Sequence, residues 1–97
     1  MAIQWSAFAL ESLEEIIIWY ELEAGRQVAD SVQNRIWRQV EKIDGFAMSI
    51  PASDILPGTR KLVISNLPYV AFIRQLDGAV WEVVDLVHTS RKLPKAE

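Results

Sequence analysis

The chain has no cysteine and a single histidine among its 97 residues. Without thiols it forms no disulfide and builds no thiolate cage for zinc, and one imidazole excludes a multi-histidine metal centre. No metal and no cofactor is therefore expected. Long apolar runs are also missing. None exceeds the length of Ile16 to Tyr20, far short of the ~20 residues that span a bilayer, so no membrane partner is expected. The opening Met1-Ala2-Ile3-Gln4 lacks the charged start and apolar stretch of a signal peptide, which makes the cytoplasm the expected location. Repeats and low-complexity tracts are absent. The first 25 residues hold no base at all, only the acids Glu11, Glu14, Glu15, Glu21 and Glu23.

What is present suits one compact domain over residues 1–97. Apolar residues make up 51% of the chain and charged ones 24%, enough to fill one core and to argue against disorder. The net charge of −3 is unevenly placed. Residues 26–59 carry four bases and four acids, and residues 60–97 carry six bases and four acids. Only that last third could attract a polyanion, and the overall acidity counts against binding free DNA or RNA through bulk electrostatics.

Hydrophobic periodicity divides the chain into elements. Ile3-Gln4-Trp5 alternates and meets Ser6, a good helix N-cap, so a short strand leads into a helix. Ala9, Leu13, Ile16, Ile17, Tyr20 and Ala24 form one helical stripe, and Gly25 interrupts it. Val28, Ala29, Val32, Ile36, Val40 and Ile43 form a second stripe, ended by Gly45. A joint this short makes the pair an antiparallel helical hairpin over about 7–43. Residues 46–59, with two prolines and a Pro57-Gly58 turn signal, read as a loop. Strand-forming residues then dominate 60–65, 69–75 and 79–87, separated by turns at Asn66-Leu67-Pro68 and Asp77-Gly78. A short polar tail, 88–97, follows the sheet region of about 60–87. The expected class is α+β in the order β-α-α-β-β-β, a two-helix hairpin packed on one face of a small, mostly antiparallel sheet.

The second turn decides which polar side chains share a face. A two-residue loop of Asp77 and Gly78 pairs Arg74 with Trp81 and separates Arg74 from His88. A three-residue loop with Gly78 in a left-handed bulge pairs Gln75 with Ala79 instead. The second register gathers Tyr69, Ala71, Ile73, Trp81, Val83 and Val87 into an apolar face for the helices and is preferred for that reason. It places Arg74, Glu82, Leu86 and His88 on the face away from the helices, where Arg60 could join them. Two guanidinium groups and an imidazole suit a phosphodiester: arginine binds phosphate oxygens bidentately, and histidine moves protons near neutral pH. Glu82 is expected to act as a cross-strand partner for Arg74 rather than as a base. Asp85 faces the other way without an evident partner. On the helices, Phe8, Ile18, Trp19 and Leu22 fall among acids, and Trp37 lies beside Arg26, Asp30 and Glu41. So large an apolar group outside the core stripes points to a partner surface.

Three segments carry a resemblance: Pro57-Gly58-Thr59-Arg60-Lys61-Leu62-Val63-Ile64, Pro68-Tyr69-Val70-Ala71-Phe72-Ile73-Arg74, and Val87-His88-Thr89-Ser90-Arg91-Lys92. With Leu13-Glu14-Glu15-Ile16 and the element order, they resemble the RelE/ParE superfamily, the toxins of type II toxin–antitoxin (plasmid stabilisation) modules. The resemblance implies a growth-inhibiting toxin neutralised by a cognate antitoxin. RelE-like members enter the ribosome and cleave mRNA without a metal through attack of the 2′-hydroxyl; ParE-like members poison DNA gyrase and are not nucleases. The first activity is the leading expectation, the second is its alternative, and a degenerate module that only binds its antitoxin is the third. For a nuclease, Arg60, Arg74 and His88 stand at the catalytic positions, with Lys61, Arg91 and Lys92 as nucleic-acid contacts. The resemblance is incomplete in three places. Residues 46–59 hold no lysine or arginine where RelE-like enzymes often place catalytic lysines, and the sequence pI of about 5.1 is unusual for an rRNA-docking protein. The tail after His88 lacks the long C-terminal segment of many gyrase poisons.

Overall fold

The computed structural model describes residues 2–43 and 47–89. Strand β1 (Ala2–Trp5) leads into helix α1 (Ala7–Ala24), and helix α2 (Arg26–Glu41) follows after one residue. A single 3-10 turn at Ala47–Ser49 precedes strands β2 (Arg60–Val63), β3 (Tyr69–Asp77) and β4 (Val80–His88). The sheet order is β1-β4-β3-β2. The pairs β2–β3 and β3–β4 are antiparallel, and β1 lies parallel to β4. This is the expected β-α-α-β-β-β arrangement.

Local chemistry explains where the helices begin and end. The Ser6 hydroxyl accepts a hydrogen bond from the Ala9 N–H at 3.0 Å, satisfying one of the unpaired donors of the first turn of α1. Gly25 serves both helices. Its N–H donates to the Glu21 carbonyl at 3.2 Å and its carbonyl accepts from the Ala29 N–H at 3.1 Å. Its backbone, at φ 92 and ψ 164, occupies a region open almost only to glycine.

The core lies between the helical hairpin and the sheet. Ala9 and Leu13 of α1 and Val32, Ile36 and Val40 of α2 pack on Tyr69, Ala71, Ile73, Trp81, Val83 and Leu86, and Ala29 of α2 is also buried. The expected stripes therefore hold, except at the joint, where Ala24 and Val28 are exposed. The far face of the sheet is covered too. Ile55 and Leu56, from the loop before β2, pack on Val70, Phe72 and Val87. That loop holds its own shape: the Ser53 hydroxyl accepts from the N–H groups of Ile55 and Leu56, and Thr59 Oγ1 donates to the Leu56 carbonyl at 2.7 Å.

The β3–β4 register corrects both sequence expectations. Arg74 faces Glu82, Gln75 faces Trp81 and Asp77 faces Val80, with an irregularity between Gln75 and Asp77. A second irregularity follows: Phe72 faces Asp85 while Ile73 faces Val83, so Val84 is an extra residue in β4. One extra residue reverses which side every later side chain takes. Leu86 and His88, expected on the far face, instead stand on the helix side, and Val87 moves the other way. Helix α1 pins the bulge. The Ser6 N–H donates to the Val83 carbonyl at 3.0 Å, the Ser6 hydroxyl donates to the Val84 carbonyl at 2.9 Å, and Ser12 Oγ donates to Asp85 Oδ1 at 3.0 Å. Asp85, which lacked an evident partner in the sequence, is thus buried and bonded, and also accepts from the Leu86 N–H at 2.7 Å.

Candidate functional site

The three residues that sequence reasoning grouped for phosphodiester chemistry do not converge. Arg60 lies directly across from Ile73, and so on the helix side of the sheet. Its Nη1 donates to the carbonyls of Ile50 at 2.6 Å and Met48 at 3.1 Å, which ties the 3-10 turn to the start of β2. Arg74 is on the opposite face, its Nε donating to Glu82 Oε1 at 2.8 Å. The cross-strand pairing expected of Glu82 is therefore present. His88 is on the helix side, at the far end of β3 and β4 from Arg74. Its ring meets Tyr69 edge-on, with centroids 5.2 Å apart.

Lys61 faces the far side of the sheet opposite Phe72, and its N–H donates to the Pro51 carbonyl at 2.9 Å. Arg91 and Lys92, expected as nucleic-acid contacts, lie outside the described residues. Among the described residues, no group of three or more histidine, aspartate or glutamate side chains is placed to hold a metal.

The apolar residues outside the core stripes are exposed, as the helical wheels predict. Phe8, Ile18, Trp19, Leu22 and Trp37 are all exposed, Leu22 most of all at 79%. Ile18 and Trp37 line one pocket beside α1, and Trp19 lines another. The first, a groove of about 660 Å³ between the helices, is lined by Leu10, Ile17, Ile18 and Trp37, with the carboxylates of Glu14 and Glu21 on its rim. Trp37 does not stand alone there: it stacks on Trp5 of β1, with centroids 4.9 Å apart and planes within 2°. The second, a cavity of about 360 Å³, lies between α1 and the end of β4, where Trp19 and His88 meet Ser12, Glu15 and Tyr69.

Sequence reasoning missed this second cavity because it depends on the bulge. One signal was available: Asp85 is flanked by Val83, Val84, Leu86 and Val87, and a buried carboxylate needs a donor. The donor, Ser12, is on the face of α1 turned to β4.

Comparison with known proteins supports the same assignment of fold. The family model for the ParE toxin of type II toxin-antitoxin system, parDE, matches residues 3–93. Among solved structures, the chain is similar to one described as the chromosomal ParDE TA system from P. aeruginosa. The two are 23% identical, the match covers 93% of this chain and 97% of that chain, and the TM-score is 0.83. No match was found among curated relatives.

Proposed function

Because this chain belongs to the ParE toxin family of type II toxin–antitoxin systems, we propose that it inhibits DNA gyrase and is held inactive by a cognate antitoxin. The observation that carries the choice of gyrase over mRNA is the dispersal of Arg60, Arg74 and His88. A nuclease that stabilises a pentacoordinate phosphorus needs its donors aimed at one point. Here one arginine bonds loop carbonyls on the helix side, the other pairs with a glutamate on the far side, and the histidine packs against a tyrosine. The family supports the same direction, since ParE-like members act without cutting RNA.

The antitoxin is proposed to cover the exposed apolar residues of the helices, with Phe8, Ile18, Trp19, Leu22 and Trp37 as its anchors. An amphipathic helix suits the interhelical groove, and the rim carboxylates Glu14 and Glu21 favour a basic or mixed stretch in it. The proposed location is the cytoplasm, where gyrase works. Among the described residues, no helix is long and apolar enough to cross a membrane.

A paired assay tests the target. Purified toxin added to gyrase and relaxed plasmid should block supercoiling, and Arg74→Ala should block it equally well. Added to a ribosome-dependent translation reaction, the toxin should leave the transcripts intact. Cleaved transcripts with normal supercoiling would overturn the gyrase reading in favour of the nuclease, and inactivity in both reactions would leave a module that only binds its antitoxin.

A further inference from the structure

We infer that the cavity between α1 and the end of β4 is a receptor for one arginine side chain of a partner protein. The groups that line it select for a cation. Glu15 supplies a carboxylate at its edge. The hydroxyl proton of Ser12 is already given to Asp85, so Ser12 presents acceptor lone pairs to the cavity. Asp85, buried behind it, adds negative charge to that wall. An anion would meet two carboxylates here, and an apolar side chain would strip water from Glu15 without replacing it.

The remaining walls favour arginine over lysine. Trp19 and Tyr69 offer aromatic surfaces, on which a planar guanidinium stacks while its edge reaches carboxylate oxygens. Trp19 is 55% exposed, yet its ring is steadied edge-on by Tyr20, with centroids 5.0 Å apart. Ile16 and Leu86 provide apolar contact for the alkyl stem, and the His88 ring, edge-on to Tyr69, completes the lining. The surroundings lack competing charge from α1 itself, because no base occurs before Arg26. The occupant proposed is a basic side chain delivered from another chain. The proposal rests on the antitoxin reading only for the source of that chain.

Nuclear magnetic resonance on the full chain tests the pocket without any antitoxin. The probe is N-acetyl-arginine N-methylamide, and the control is its uncharged isostere, the citrulline derivative. The arginine probe should shift the Trp19 indole N–H saturably, and the citrulline probe should not. Glu15→Gln, a change at an exposed helical position, should weaken the arginine probe roughly tenfold or more, the loss of one charge-assisted hydrogen bond. Trp19→Leu should abolish binding, read from the Ser12 and Glu15 amides, while the rest of the spectrum stays native. Equal shifts from both probes, or unchanged binding in Glu15→Gln, would overturn the proposal. So would movement of the Trp19 signal on Arg91→Ala or Lys92→Ala without any probe, because the chain's own tail would then be the occupant. Failure of the gyrase assay leaves these outcomes untouched, so the two readings fail separately.

Discussion

Asp85 ties helix α1 to the bulged stretch of β4. It accepts from Ser12 on the helix and from the Leu86 N–H inside its own strand, both while buried. Asp85→Ala leaves those donors unpaired and should cost about 1–3 kcal/mol in urea unfolding. Ser12→Ala should cost less, and the double variant should fall short of the sum because the two share one bond. The two arginines should separate in the same way. Arg74→Ala removes an ion pair whose arginine is 51% exposed, and its effect on stability should stay within about 1 kcal/mol. Arg60→Ala frees the Met48 and Ile50 carbonyls and should speed proteolytic cutting within residues 47–59 at unchanged protease concentration. At this scale the sequence was only partly legible. The Arg74–Glu82 pairing followed from cross-strand chemistry, but the position of His88 did not. The run Val83-Val84-Asp85-Leu86-Val87 is apolar on both parities around its one acid. Nothing in that pattern marks where the extra residue lies, and no glycine announces the bulge.

Secondary-structure elements were more legible, because a helix repeats its signal over several turns. Each stripe gives four or more concordant positions, and both helices begin where Ser6 and Gly25 permit. Gly25 makes the hairpin possible at all: a side chain at φ 92 is strained even though a β-carbon there would touch nothing within 4 Å. Gly25→Ala should therefore cost about 1–3 kcal/mol, measured by thermal unfolding, with both helices retained in the far-ultraviolet circular dichroism of the folded protein. The exposed residues of the hairpin give a separate expectation. Ile18 is 46% exposed and lines the interhelical groove, so Ile18→Ala should leave the toxin folded. Calorimetry with the purified antitoxin should show a loss of about 2 kcal/mol if Ile18 is an anchor, and an unchanged affinity would place the antitoxin elsewhere. Trp37 is a less clean position, since its stack on Trp5 also joins α2 to β1. That stack was invisible in the sequence, being a contact between residues far apart in the chain.

For the molecule as a whole, charge was the property read most directly. The acids of α1 are exposed, and they face solvent without a base on the same helix. A basic antitoxin segment should therefore associate quickly at low salt. Stopped-flow tryptophan fluorescence should show the association rate falling steeply as ionic strength rises, with a much smaller change in dissociation. A rate independent of salt would mean that the antitoxin approaches by another face. The strand order carries a consequence for timing. β4 is the last of the described strands but an inner strand of the sheet, flanked by β1 and β3. As the chain emerges from the ribosome, the helical hairpin and the β2–β3 ribbon can form from local contacts. Strand β1 then has nothing to pair with, and one edge of β3 stays open. Closing the sheet joins residues from opposite ends of the chain, a slow kind of step because a large loop must be ordered before any contact rewards it. The bulge, the Ser12–Asp85 bond and the cavity beside His88 all come into being at that step. A newborn chain thus spends its first moments without them, and an antitoxin already present in the cell has that interval as a head start.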